Sequence, residues 1–102
     1  MIEIECVRLS QLPPSTELLV RTVNSVYRVV ITHGPAVSVQ GGAFFPESTS
    51  AYINAANADG MQITVGCICV GWMAEIRTRS RHVITSRVQT ITNVLASDPV
   101  VE

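Results

Sequence analysis

Two runs of alternating apolar and polar residues, Leu18–Val23 and Val26–Thr32, stand back to back with only Asn24-Ser25 between them. β-Branched residues at this spacing favour extended backbone. A two-residue link led by an Asn that tolerates positive φ predicts a tight hairpin of a primed turn type. In that register facing residues have numbers that sum to 49. Leu18 then faces Ile31, Val20 faces Val29 and Thr22 faces Tyr27 on the core side, while Leu19 faces Val30 and Arg21 faces Arg28 on the other. Two facing arginines repel, so the outer side is expected to carry a carboxylate nearby, to splay both side chains into water, or to meet an anion.

The rest of the chain continues in short extended pieces. Ile2–Leu9 alternates loosely and predicts a first strand, ended by Ser10 and by Pro13-Pro14, which cannot continue a ladder; residues 1–14 are thus an N-terminal strand and a Pro-Pro linker. His33-Gly34-Pro35 turns into Ala36–Gln40, where Val37 and Val39 oppose Ser38 and Gln40, a third antiparallel strand. Gly41-Gly42 breaks or bulges it, and Ala43–Phe45 is a short apolar run stopped by Pro46. Glu47–Gly60, rich in Ser, Ala and Asn, predicts only a short strand or helical turn around Tyr52–Ala56, closed by a turn at Asn57–Gly60.

Met61–Val70 reads as one strand with Met61, Ile63, Val65, Cys67 and Cys69 on a single face; Gly66 and Gly71 suit a sharp bend or a close backbone approach. Trp72–Arg79 sets Trp72, Ala74 and Ile76 against Met73, Glu75, Arg77 and Arg79, with Glu75 on the exposed face. After a turn at Ser80–His82, Val83–Val94 supplies a last strand with a break near Ser86-Arg87, and residues 96–102 form a fraying tail. No long amphipathic helix is encoded, and turn signals recur every ~8–12 residues. The expected fold is all-β, a small antiparallel β-barrel or sandwich of six to eight strands in one domain over residues 1–102, long enough to bury roughly 60–70% of its extended surface.

Hydrophobic residues make up 47% of the chain and charged residues 15%, an apolar balance that points to a homo-oligomer whose subunits cover one another's apolar strips, or to a well-filled barrel. A net charge of −1 gives no global attraction to nucleic acid or to anionic membranes, so any such affinity must be local. No apolar stretch approaches the ~20 residues of a membrane helix, and the acidic start (Glu3, Glu5) lacks the layout of a signal peptide, which makes the cytoplasm the expected address. The three cysteines, Cys6, Cys67 and Cys69, then read as structural free thiols. Cys67 and Cys69, about 7 Å apart on one strand face, read as core residues. Neither they nor His33 and His82 show zinc-site spacing, so no metal and no organic cofactor is expected.

Basic residues gather in two places, Arg21 with Arg28, and Arg77, Arg79, Arg81 and His82 with Arg87. If the two hairpins are neighbours, their guanidinium groups form a stripe able to grip phosphate or carboxylate in bidentate fashion. The alternative is a solvated outer face. Nucleic-acid barrels interleave aromatic rings for base stacking, and the five here, Tyr27, Phe44, Phe45, Tyr52 and Trp72, read as core or interface anchors. Neither histidine lies in a nucleophile elbow, P-loop or dinucleotide fingerprint.

The segments Glu17–Arg28 (ELLVRTVNSVYR), Val39–Glu47 (VQGGAFFPE), Gly66–Glu75 (GCICVGWMAE) and Val83–Val88 (VITSRV) resemble a group of short bacterial proteins of unknown function that share R-T-x-N-S-x-Y, G-G-x-F-F-P, G-x-I-x-V-G and V-x-T-S-x-V segments. The resemblance spans most of residues 17–91, departs at the Ala55–Asp59 loop, and implies a recurring small fold with no assigned catalytic residue. Glu75–Thr85 (EIRTRSRHVIT) is also similar to strand ends of the tryptophan RNA-binding attenuation protein family, which builds rings of small β-subunits. That similarity implies edge-to-edge assembly and an RNA-binding face, although the lysine content and periodic layout of such a ring are missing here.

These observations together describe a binding or assembly module rather than an enzyme. Arg21 and Arg28 are its first-choice contacts for an anion or protein partner, Arg77, Arg79 and Arg81 its second, and Phe44, Phe45 and Trp72 its candidate interface. An RNA-binding arginine-rich face is one alternative; a small hydrolase using His33 or His82 is another.

Overall fold

The computed structural model describes residues 2–33, 36–57 and 63–94, and among them it places ten strands: β1 (Ile2–Ile4), β2 (Cys6–Arg8), β3 (Glu17–Thr22), β4 (Val26–His33), β5 (Ala36–Gly41), β6 (Phe45–Ala56), β7 (Ile63–Thr64), β8 (Cys67–Cys69), β9 (Met73–Arg77) and β10 (His82–Val94). All pairings are antiparallel. β3, β4, β5 and the first half of β6 form a meander; the second half of β6 pairs with β9, β9 with β10, and β10 with β3. The path returns to its first strand, so the sheet partly closes into a ring, and the all-β expectation holds. β1 adds to β10 and β7 to β6 at the margins, while β2 and β8 make a separate two-stranded sheet.

The period-2 alternation of the sequence becomes the inside of this ring. Leu18, Val20, Tyr27, Val29, Ile31, Val37, Val39, Ile53, Ile76, Val88 and Ile91 pack into one buried cluster with Phe45. Each large aliphatic side chain removed from water contributes on the order of 1.5–3 kcal/mol. Leu9, from a single 3-10 turn at Leu9–Gln11, enters the same cluster, and its N–H donates to the Gly66 carbonyl at 2.8 Å.

The first hairpin differs from expectation in register. Facing residues are Leu18 and Val29, Leu19 and Arg28, Val20 and Tyr27, Arg21 and Val26. The cause is a turn displaced by one residue, to Val23-Asn24: Thr22 donates its N–H to the Ser25 carbonyl at 2.8 Å, and its hydroxyl donates to that carbonyl and accepts from the Ser25 N–H. Asn24 has no positive φ; Ser15 is the only non-glycine with one among the described residues. The slip is two residues, which keeps every side chain on its expected face, yet it removes the Arg21–Arg28 opposition. Arg28 instead reaches diagonally to Glu17, Nε to Oε2 at 2.6 Å and Nη2 to Oε1 at 3.3 Å.

Several other expectations are corrected. The N-terminal run is two strands broken at Glu5 and divided between the two sheets. Pro46 does not stop a strand; it lies second in the 12-residue β6, where the ladder to β5 is irregular and its missing N–H matters least. The Ser/Ala/Asn-rich stretch is extended because β6 is paired first by β5 and then by β9. The single strand expected at Met61–Val70 is split into β7 and β8 by a turn at Val65-Gly66, with Gly66 at φ 70°. The break expected near Ser86-Arg87 is a register irregularity inside a continuous β10. The turn residues Gly34, Pro35 and Ala58–Gly60, the Met61 side chain and the tail 96–102 lie outside the described residues.

Cys6 and Cys69 are not free thiols. They face each other across β2 and β8 and form a disulfide, leaving Cys67 as a buried free thiol. No helix among the described residues is long and apolar enough to cross a membrane.

Candidate functional site

Glu75 lies in the middle of β9, between Asn54 of β6 and Ile84 of β10. Alternation with Ala74 and Ile76 turns it to the outside of the ring, where the sequence predicts exposure, yet only 4% of its side chain meets solvent. The turn between β7 and β8 reaches over this face, and the Gly66 N–H donates to Asn54 Oδ1 at 2.9 Å. A carboxylate withdrawn from water needs partners. Asn54 Nδ2 donates to Oε1 at 2.9 Å, while Arg77 Nη2 at 3.2 Å and His82 Nε2 at 2.7 Å both reach Oε2. Because a carboxylate only accepts, His82 carries a proton on Nε2. The Asn54 bond first, then the Arg77 and His82 bonds, hold the Glu75 carboxyl at about 2, against burial, which acts to raise it.

This buried anion positions two half-exposed side chains, the Arg77 guanidinium and the His82 imidazole. Arg77 and His82 keep 57% and 50% of their side chains in solvent while one atom of each is fixed. A guanidinium has five N–H donors, so most of those on Arg77 remain to face outward. Arg77 also stands opposite Tyr52 of β6, and beside the pair runs an open cleft of about 540 Å³ lined by Ala36, Ser50, Tyr52, Arg77, Thr78 and Arg79. The β9–β10 turn closes through the Thr78 N–H to the Arg81 carbonyl at 2.9 Å and through the Thr78 hydroxyl, which accepts from the Arg81 N–H at 2.9 Å. Arg81, leaving the same turn, stacks over the Phe44 ring at 5.3 Å.

The arginines of the sequence reading are therefore sorted into two separate groups. Arg77, Arg79 and Arg81 share the β9–β10 end with Phe44, Tyr52 and His82. Arg21 pairs with Thr90 on β10, eight positions beyond His82, the partner of Arg77, a span of about 26 Å along the strand. Arg28 beside it is engaged by Glu17, which raises the guanidinium further above its ordinary value. Arg87 lies between the two groups on β10, opposite Met73 of β9, and its carbonyl accepts from the Val23 N–H at 3.0 Å. Of the interface candidates, Phe45 is 1% exposed and belongs to the core, Trp72 is half-buried, and Phe44 is 50% exposed. Tyr52, Asn54 and the buried state of Glu75 were not legible as site features, since only the β6–β9 pairing unites them.

The Glu75–His82 contact is also the carboxylate–imidazole half of a hydrolytic triad; among the described residues no hydroxyl or thiol is hydrogen-bonded to that imidazole. No three His, Cys, Asp or Glu side chains among them gather as a metal site would. No family model, curated protein or solved structure matches the chain.

Proposed function

We propose that this protein is a non-enzymatic binding module whose contact site is the Tyr52–Arg77–Arg79 cleft, and that it takes a phosphate or carboxylate carried by a ligand or partner. The carrying observation is the anchoring of Arg77 by a buried, ionised Glu75. An arginine held in this way has lost part of its rotamer freedom before binding, so less entropy is forfeited when an anion arrives. Arg79 adds a second charge, and Tyr52, 56% exposed, adds a flat apolar wall. Arg21 and Arg28 are secondary in this reading, because Glu17 already occupies Arg28.

Self-association belongs to the same reading, supported by the apolar composition and the exposed Phe44 edge, as does a cytoplasmic address. The exposed rings of Phe44 and Tyr52 beside three arginines also favour a second reading, single-stranded nucleic acid stacked on that end.

Phenyl phosphate combines a ring with an anion and serves as the probe. Calorimetric titration of the parent chain is expected to give saturable binding that Arg77→Met weakens at least tenfold and Arg21→Met leaves unchanged. Equal affinity in the parent and Arg77→Met overturns the reading. A short oligouridine that binds where phenyl phosphate does not moves the choice to nucleic acid.

A further inference from the structure

We infer that the Cys6–Cys69 disulfide is a thiol–disulfide exchange site, opened at Cys6 by a low-molecular-weight thiol of the glutathione class, rather than an inert staple. The two cysteines are direct cross-strand partners in the β2–β8 sheet, with Cα atoms 4.1 Å apart. Backbone pairing therefore keeps the sulfurs adjacent in the reduced state, ready to close again. Access is one-sided: Cys6 is exposed, Cys69 is half-buried, and both line an open pocket of about 390 Å³ with Glu5, Val70 and Trp72. A pocket of this size admits a small peptide thiol. Cys67 is buried, which keeps the third thiol out of the exchange.

A 102-residue chain with a continuous core is above the size at which staples are needed. An exchangeable disulfide also agrees with a cytoplasmic address, where disulfides are mostly transient.

In the forward step the incoming thiolate attacks Cys6 Sγ, the Cys6–Cys69 bond breaks, and its electron pair leaves on Cys69 Sγ. A second thiolate attacks the small thiol's sulfur in the mixed disulfide and displaces Cys6. The protein gains two electrons, both cysteines take protons from solvent, and the small thiol is oxidised to its disulfide.

Trp72, the single tryptophan, lines the pocket and reports the change, since a nearby disulfide quenches indole emission. The folded parent chain is incubated in glutathione buffers of graded ratio, then alkylated and mapped by mass spectrometry. The expected result is reversible gain of two hydrogens, alkylation of Cys6 and Cys69 but not Cys67, and a matching rise in Trp72 emission without unfolding. Cys69→Ser treated with oxidised glutathione is expected to retain one glutathionyl group, on Cys6. Should that variant not fold, the parent measurement decides alone: a disulfide that resists reduced glutathione until the protein is unfolded by urea overturns the proposal. Folded Cys69→Ser that takes no adduct also overturns it.

Discussion

Replacing Glu75 with glutamine removes one charge and almost no volume, and the new side chain can still accept from Asn54 Nδ2. What disappears is the ion pair with Arg77 and the acceptor oxygen shared with His82. The carboxyl lies at about 2 in the fold against an ordinary 4.5. A folded-state value below the unfolded one stabilises the protein fully above pH 4.5, and the contribution is lost as pH falls from there towards 2. That displacement corresponds to on the order of 3 kcal/mol, a ceiling, because Arg77 and His82 are at least half exposed and rehydrate when released. At pH 7, Glu75→Gln is expected to cost about 1–2 kcal/mol, which for a domain of this length lowers the Tm by roughly 5–15 °C. Urea unfolding of parent and variant across pH 7 to pH 2 measures the gap. It should hold steady from neutral pH to about 5, shrink below 4.5 and close near 2. A gap that persists unchanged to pH 2, or no gap at pH 7, refutes the assignment of Glu75 as an ionised anchor.

Two further outcomes follow from packing. Gly41 holds φ at 133°, and a Cβ there would collide with the Val26 carbonyl oxygen; Gly41→Ala is expected to cost about 3 kcal/mol or more, read by urea unfolding. The adjacent phenylalanines should behave in opposite ways. Phe45→Ala empties a core position and costs about 3–5 kcal/mol, whereas Phe44→Ala should leave the fold within about 1 kcal/mol of the parent and reduce any self-association seen by analytical ultracentrifugation.

The faces of the first hairpin were readable because hydrophobic parity survives a slip of two residues, but the register was not: Thr22 bonding to Ser25 outweighed the Asn24-Ser25 turn signal. β6 was hidden for a different reason. Its Ser, Ala and Asn residues have weak strand preference of their own, and they extend because neighbours on both sides supply hydrogen-bond partners. Alternation gives Glu75 its outward face but not its burial, since it reports direction and not what a distant turn lays on top. Cys6 and Cys69 are separated by 63 positions with no spacing motif, and only the β2–β8 register reveals the bond. Local pattern was thus sufficient for the all-β class, for the faces of the apolar strands and for Arg77 and Arg79, while the union of Tyr52, Asn54 and Glu75 with them depends on contacts between remote strands.

In the proposed function an anion binds in the cleft beside Arg77. Titrating isotopically labelled protein with phenyl phosphate and following backbone amide shifts by NMR tests it most directly. Saturable shifts confined to Ser50–Tyr52 and Arg77–Arg79, lost in Arg77→Met, are expected; shifts centred on Arg21 and Arg28, or none at saturating probe, would overturn the assignment of the cleft.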